Sequence, residues 1–320
     1  MKSQNEWGKL KKVVVGVADY ARTPEVDLSV RTINYADRKD VSDIIPGLYP
    51  QQVIDEANED LETFVKFLLG EGVEVVRPKR TATDYYNFCP RDVIFTHKDL
   101  TVATPMPLQS RKDAWRALID RLDTTIIVPC KHQDGLYNED CVGNKDILAL
   151  TEITPAFDAA NTIRANDDIL YLVCNSGNIA GANLLQDMLG DRAKVHLLQN
   201  VYSYVHIDST VAFLREGLLL ANPSRIKDKD VLPAPFNSWD IVWCPEPVDI
   251  GYYGGYNNSS AWVNVNLFSI NPNLVVLEEH QEPTRKELEK HGIECAMLPM
   301  RHARTLGGCF HCVTLDLERE

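Results

Sequence analysis

The last part of the sequence carries a thiol in a setting that suits a nucleophile. Gly307 and Gly308 precede Cys309, and Cys312 stands where an alternating apolar pattern predicts a strand. The two glycines allow a flexible turn, which could present a thiol at the start of that strand to a pocket. A plainer interpretation stays open, because a buried cysteine is more often a packing residue than a nucleophile.

Other polar residues stand just ahead of predicted strand pairs. They are Asp92, Asp158, His206, Asp208, Ser259 and Ser260. His206 and Asp208 are two residues apart, so in an extended segment both side chains would lie on the same face. Taken singly, an aspartate at the entrance to a strand is often only a turn or capping residue.

Together these residue types suit covalent catalysis at a cationic carbon. The thiolate of Cys312 would attack, His206 would move protons, one carboxylate would orient the imidazole and the others would hold the cation. A guanidinium group is the natural candidate, because its planar fork matches carboxylates in bidentate fashion.

The spacing of Cys309 and Cys312 leaves a second chemistry open. Two cysteines in this arrangement could form a redox pair or half of a zinc site. Redox motifs normally open a helix, however, and the sequence has no second such pair to complete four ligands. His311, next to Cys312 on an alternating strand, is expected to point away from the pocket.

A repeated unit of a strand pair, a helix and a third strand is expected to position these groups. The predicted strand pairs are 92–97 with 100–104, 162–165 with 169–173, 210–214 with 218–221, and 262–270 with 274–278. The predicted helices are 111–122, 179–189 and 283–291, and the helical part of the third unit is broken by Pro233 and Pro235.

One predicted strand is left at each end of the chain, at 12–17 and 312–317. If these pair, they form a fifth unit with a helix at 50–69 and a strand at 73–77. Five such units in a closed ring, without a free edge, are an α/β propeller, whereas a doubly wound sheet is the alternative. Equivalent positions of a ring lie at the same pole, so the polar residues would converge there.

Composition excludes some classes of protein. The 320 residues carry a net charge of −13, which argues against nucleic-acid partners and anionic membrane surfaces. Neither a secretory signal nor an apolar run long enough to span a membrane is visible, so a cytoplasmic protein is expected. Its eight cysteines are then expected to be reduced.

The chain resembles the amidinotransferase family of the pentein superfamily, which includes arginine:glycine and arginine:inosamine-phosphate amidinotransferases. The matching motifs run in the family's order from about residue 88 to the end, with a weaker match at 7–17. They are Pro90-Arg91-Asp92, Phe157-Asp158-Ala159-Ala160, His206-Ile207-Asp208-Ser209-Thr210, Asn222-Pro223-Ser224-Arg225, Ser259-Ser260 and Leu306-Gly307-Gly308-Cys309-Phe310-His311-Cys312.

The resemblance implies one catalytic domain over residues 1–320 with the fivefold propeller fold. It implies Cys312 as nucleophile, His206 as general acid and base, and Asp158 as the carboxylate that orients the imidazole. The substrate-binding residues that it implies are Asp92 and Asp208 for the guanidinium group of the donor, and Arg225 and Ser260, with Ser259 beside it, for the α-carboxylate. No metal or organic cofactor is expected.

The sequence departs from the family pattern in three places. Cys309 stands where a third glycine is usual, and Asn161 stands where an aspartate usually follows the Phe-Asp-Ala-Ala motif. Tyr204 and Val205 precede the expected catalytic histidine, where the enzyme that uses glycine has methionine. The last departure puts glycine in doubt as the acceptor.

The implied reaction moves the amidino group of L-arginine to an acceptor amine and releases L-ornithine. A hydrolase that uses water in place of the amine is the nearest alternative. A guanidino-binding protein without activity and a redox or zinc protein are further alternatives. The expected partners are small molecules, with no nucleic acid and no membrane, and a homodimer is left open. Residues 251–258 are interpreted either as a lid or as a plain surface connection.

Overall fold

This computed structural model describes residues 3–79 and 87–320, which contain five three-stranded sheets of the same topology. In each sheet two strands pair antiparallel, and a third strand runs parallel to one of them. The strand pattern of the predicted repeated unit is therefore confirmed. Sheets 1 to 5 are numbered here in chain order.

Sheet 1 joins the two ends of the chain. Leu10–Val15 pairs antiparallel with Thr314–Arg319 and parallel with Glu74–Val76. The α-helix Gln51–Gly70 precedes the parallel strand. The pairing of the terminal strands, which the sequence predicted, places the residues just before Thr314 next to the first strand of the protein.

The other four sheets use consecutive strands. Sheet 2 holds Ile94–His97, Leu100–Ala103 and Ile126–Ile127, and sheet 3 holds Thr162–Ala165, Asp168–Leu172 and Lys194–Leu198. Sheet 4 holds Val211–Arg215, Leu218–Ala221 and Asp240–Trp243, and sheet 5 holds Phe268–Asn271, Leu274–Glu278 and Glu294–Leu298. The described chain also contains the short strand pair Arg22–Thr23 with Gly47–Leu48 and the short α-helices Leu28–Ile33 and Ala303–Leu306.

In the units of sheets 3 and 5 the predicted helices are present, at Ile179–Leu189 and Glu282–Lys290. The helix predicted at 111–122 is wrong, because this segment forms short 3₁₀ turns. Its first residue, Arg111, is buried and pairs with Asp92, which draws the chain inward instead of leaving that side chain on the polar face of a helix. In sheet 4 the corresponding segment also forms 3₁₀ turns, as its prolines predicted.

The strand predicted at 262–270 is also shorter than expected and begins at Phe268. The preceding residues form a loop in which the side chains of Asn264 and Asn266 bond to other parts of the chain. Two buried amides thus take the place of the side-chain alternation that a strand would need. No helix of the described residues is long and apolar enough to cross a membrane.

Apolar side chains alternate along the strands between the two neighbouring sheets. In sheet 3, Ile169 and Tyr171 pack with sheet 2, whereas Leu170 and Leu172 pack with sheet 4. Strands buried on both faces in this way read as continuous apolar runs. The described residues contain five such clusters, each shared by two sheets, and one of them joins sheet 5 to sheet 1.

A buried charge network ties the last strand to sheets 2 and 3. The carboxylate of Asp316 accepts hydrogen bonds from Arg91 (2.8 Å), Arg164 (2.5 Å) and Arg319 (2.8 Å), and Arg164 also bonds Glu6 at 2.8 Å. Burial alone would raise the pKa of Asp316, but the arginines hold it well below its usual range. The folded protein therefore depends on this carboxylate being charged.

We expect Asp316→Asn to destabilise the protein by about 3–5 kcal/mol, because it leaves buried arginines without their shared counter-charge. Urea denaturation at neutral pH measures this loss. Glu318→Gln, at an exposed position of the same strand, is the matched control and should change stability by about 0.5 kcal/mol or less. Equal effects of the two substitutions would contradict a structural role for the network.

Candidate active site

A cavity of about 470 Å³ contains all eight site residues that the sequence predicted. They are Asp92, Asp158, His206, Asp208, Arg225, Ser259, Ser260 and Cys312. Four of them occupy equivalent places: Asp92, Asp158, Asp208 and Cys312 each lie a few residues before the outer strand that pairs antiparallel with the central strand of its sheet. The predicted convergence of distant residues is therefore confirmed, and it follows from the repeated unit.

Cys312 stands in a tight turn that needs its glycines. Gly307 has a φ of +88°, which a residue with a side chain rarely adopts. A Cβ at Gly308 would lie only 2.5 Å from the Cβ of Cys312 and 2.9 Å from the Sγ of Cys89. Cys309 is buried and does not have a positive φ, so the turn does not require a third glycine at its position.

Asn266, which sequence reasoning missed, holds this turn together. Its Oδ1 accepts the backbone N–H groups of Cys309, His311 and Cys312 at 3.1–3.2 Å. Its Nδ2 lies 3.0 Å from the Sγ of Cys312. An N–H group directed at the sulfur favours the thiolate over the thiol. The polar residues Asn264 and Asn266 within an otherwise apolar segment were the sequence signal for this arrangement.

His206 is held between two carboxylates. Its Nε2 lies 2.8 Å from Asp158 Oδ2, and its Nδ1 lies 3.8 Å from Asp92 Oδ1. The backbone of His206 has a φ of +60°, so the expectation of an extended segment from His206 to Asp208 is wrong. The backbone N–H of His206 donates to Asn161 Oδ1, which helps to hold this conformation. The side chains of His206 and Asp208 nevertheless both line the cavity.

The protonation state of the site follows from its buried carboxylates. Burial alone would lower the pKa of His206, but Asp92 and Asp158 raise it well above its usual range. A hydrogen bond with Cys89, burial and the charge of Asp208 raise the pKa of the Cys312 thiol well above its usual range. At neutral pH the resting site therefore holds a neutral thiol beside an imidazolium.

Asp92 and Asp208 are not free carboxylates. Asp92 Oδ2 accepts a hydrogen bond from Arg111 Nη1 at 2.6 Å, whereas its buried Oδ1 has no hydrogen-bond partner among the described residues. Asp208 Oδ2 accepts from the thiol of Cys312 at 2.9 Å and lies 3.0 Å from His311 Nδ1. Burial alone would raise the pKa of Asp208, but its bond with His311 lowers it to about 2.

Arg111 and His311 are thus further residues of the site that the sequence did not assign. Arg111 belongs to the segment 111–122, for which a helix was wrongly predicted. The periodic pattern of that segment gave no sign that Arg111 is buried. His311 does not line the cavity, as predicted, but it supports a carboxylate that does. Its pairing depends on a contact across 103 residues of sequence, which local pattern cannot reveal.

Arg225 is held by hydroxyl groups. Its Nη1 donates to Ser203 and Ser209 at 2.7 Å and to Thr210 at 2.9 Å, and its Nη2 lies 3.5 Å from Ser260 Oγ. Burial lowers the pKa of Arg225 to about 10, which leaves it charged at neutral pH. A cation with neutral partners in a cavity can pair with an anionic ligand group.

All eight cysteines are free thiols. Within residues 3–79 and 87–320, the group whose side chains could gather around a metal ion is Glu278, Glu279 and His280, which does not line the cavity. Cys309 and Cys312 do not belong to it.

Comparison with known proteins places this chain in a family. No protein-family model matches the chain. Inosamine-phosphate amidinotransferase 1 of Streptomyces glaucescens is 38% identical over an alignment of 336 positions. The alignment covers 98% of this chain and 95% of that protein. The chain belongs to the amidinotransferase family.

Two further relatives support the same family assignment. The L-arginine:L-lysine amidinotransferase of Pseudomonas savastanoi pv. phaseolicola is 30% identical over 99% of this chain and 94% of its own. The solved structure of an inosamine-phosphate amidinotransferase from Streptomyces griseus matches with a TM-score of 0.94 at 37% identity and covers 99% of this chain and 96% of its own. The likeness therefore extends over nearly the whole chain, including both terminal strands.

The raised pKa of Cys312 predicts how the resting amidinotransferase reacts with iodoacetamide. Because the thiol is neutral below its pKa, the thiolate fraction grows with pH, and alkylation should accelerate about tenfold per pH unit between pH 7 and 9. Mass spectrometry of the Cys312 peptide separates this thiol from the seven others, and Cys312→Ser is the control. A rate that levels off below pH 8 would contradict the assigned protonation state.

Asn266→Ala should lower the alkylation rate of Cys312 at pH 8 by about tenfold, because the loss of a hydrogen bond to a charged sulfur costs about 1.5 kcal/mol. Asn264→Ala is the matched control, since Asn264 is buried in the same loop but bonds Pro245 and Thr284 instead of the thiol. Near-ultraviolet circular dichroism checks the fold of both variants. Similar alkylation rates in the two would exclude a direct effect of Asn266 on the sulfur.

Proposed function

We propose that this protein transfers the amidino group of L-arginine to an acceptor amine through a covalent intermediate on Cys312. The observation that carries the proposal is the position of the Cys312 thiol, which lies in one cavity with His206 and the buried carboxylates Asp92, Asp158 and Asp208. This set has an excess of negative charge, and its neutral thiol requires activation. A guanidinium ion supplies the missing positive charge.

In the first half of the reaction the guanidinium group of arginine binds between Asp92 and Asp208. The unsatisfied Oδ1 of Asp92 supports this placement, since a buried acceptor without a partner costs free energy until a donor arrives. The bound cation offsets the charge of Asp208 and so lowers the pKa of Cys312, whose proton leaves to solvent. The thiolate then attacks the guanidinium carbon.

His206 acts as the acid and then as the base. Already protonated beside Asp158, it donates its proton to the departing nitrogen as the carbon–nitrogen bond breaks and ornithine leaves. The amidino group remains bound to the sulfur as a cation. In the second half, neutral His206 removes a proton from the acceptor amine, the amine attacks the same carbon, and the carbon–sulfur bond breaks to restore the thiolate.

The other polar groups position the donor. Arg225 and Ser260, with Ser259 beside them, bind the α-carboxylate of arginine, in keeping with the hydroxyl-bound cation at Arg225. Arg111 pairs with Asp92 and orients it, and His311 does the same for Asp208. Asn266 stabilises the thiolate that the first step requires.

The names of the relatives suggest a class of acceptor. They name inosamine phosphate, L-lysine and glycine, each of which is an amine that also carries an anionic group. We infer that the acceptor here belongs to the same class. Tyr204 and Val205 line the cavity ahead of His206, at the place where the sequence departs from the enzyme that uses glycine, so amines other than glycine are the first to test.

We also infer that the five sheets close into a ring and that residues 1–320 form one catalytic domain. Support comes from the antiparallel pairing of the terminal strands and from the five apolar clusters that each join two sheets. A closed arrangement explains why residues at equivalent places in the repeat meet in a single cavity.

Incubation with arginine alone tests the proposed function. The wild type should release about one ornithine per active site, and the Cys312 peptide should gain the mass of one amidino group after acid quenching. Cys312→Ser should do neither. Addition of an acceptor amine should convert the single turnover into steady release. Continuous formation of citrulline or ammonia without an added amine would instead assign the hydrolase.

A further inference from the structure

One arginine of the cavity has no part in the proposed reaction and no partner in the described structure. Five arginines line the cavity, namely Arg22, Arg38, Arg111, Arg225 and Arg304. Four of them are paired: Arg111 with Asp92, Arg304 with Asp249, Arg38 with Asp43 and the Asn257 carbonyl, and Arg225 with Ser203, Ser209 and Thr210. Arg22 is the exception.

Arg22 lies in the short strand Arg22–Thr23, which pairs with Gly47–Leu48. Its side chain is only partly exposed, and its buried Nε has no hydrogen-bond partner among residues 3–79 and 87–320. No carboxylate of those residues forms a salt bridge with it, although the chain has 46 acidic and 33 basic residues. A partly buried guanidinium without an acceptor is costly, so its natural partner is an anionic ligand.

The donor and the acceptor each carry an anionic group. The α-carboxylate of the donor arginine already has a proposed binding site. Arg225 stands among hydroxyl groups near Ser260, which is the proposed place for the α-carboxylate of arginine. Arg22 reaches the cavity from a separate N-terminal segment, which also contributes Asn34 and Tyr35 to the lining. Asp37 from the same segment offers an exposed carboxylate that suits a polar or cationic part of the same ligand.

We propose that Arg22 binds the anionic group, a phosphate or a carboxylate, of the acceptor amine and thereby selects charged acceptors over neutral ones. This inference rests on the proposed function, because it needs an acceptor in the second half-reaction. Arg is suited to the task, since its fork makes paired hydrogen bonds to either kind of oxyanion. Arg22 is a specificity-determining residue in this assignment and takes no part in bond breaking.

Steady-state kinetics separate the two substrates, because in a ping-pong reaction kcat/KM for arginine reports the first half-reaction and kcat/KM for the acceptor reports the second. The acceptor probes are matched pairs that differ in the anionic group: inosamine phosphate with inosamine, and lysine with 1,5-diaminopentane. The first pair tests a phosphate and the second a carboxylate. The variants are Arg22→Gln, Arg22→Lys and, as control, Arg116→Gln at an exposed site outside the cavity.

In the acceptor pair whose charged member the wild type uses better, Arg22→Gln should lower kcat/KM for the charged acceptor by about 10-fold or more. It should leave kcat/KM for the neutral acceptor nearly unchanged. Arg22→Lys should restore part of that preference because it keeps the charge. The release of ornithine in the first turnover should persist in Arg22→Gln, which also shows that the variant is folded. Arg116→Gln should behave as the wild type does.

Two results would overturn the assignment of Arg22 while the proposed function stands. One is an unchanged preference for charged acceptors in Arg22→Gln, and the other is a loss confined to kcat/KM for arginine, which would assign Arg22 to the donor. A wild type that releases no ornithine from arginine would overturn the proposed function itself, together with the acceptor assignment. The first-turnover measurement therefore distinguishes the two failures.

Discussion

The antiparallel pairing of Leu10–Val15 with Thr314–Arg319 is the contact on which the rest of the structure depends. It places the turn that carries Cys312 at the entrance of sheet 1, in the same relation to its sheet as Asp92, Asp158 and Asp208 have to theirs. Without this pairing nothing would hold the Cys312 turn beside the other residues that line the cavity. The buried Asp316 network strengthens the same strand through three arginines.

The buried carboxylates of the cavity set the resting protonation states of His206 and Cys312. Asp92 and Asp158 raise the pKa of His206 and keep the imidazole protonated, and Asp208 helps to keep the thiol of Cys312 neutral. In the proposed reaction the substrate itself removes the restraint, because its guanidinium charge compensates the carboxylates that hold the thiol proton.

Local patterns predicted most of the regular elements but failed where side chains bond across the fold. The helix at Ile179–Leu189 and the strand pairs have periodicities that depend only on neighbours in sequence. The segment at 111–122 has a similar pattern, yet it forms 3₁₀ turns because Arg111 is buried against Asp92. The role of Asn266 was missed for the same reason, since its partners lie more than forty residues away.

The sequence by itself determined the repeated unit, the order of the motifs and the kinds of group that meet in the cavity. These depend on side-chain alternation and on motif residues that can be read one segment at a time. Only the tertiary structure decided which groups are charged, which carboxylates are already paired, and that Arg22 has no partner among the residues that the structure describes. Those properties depend on burial and on distances between segments, because desolvation and charge interactions arise only where distant parts of the chain are brought together.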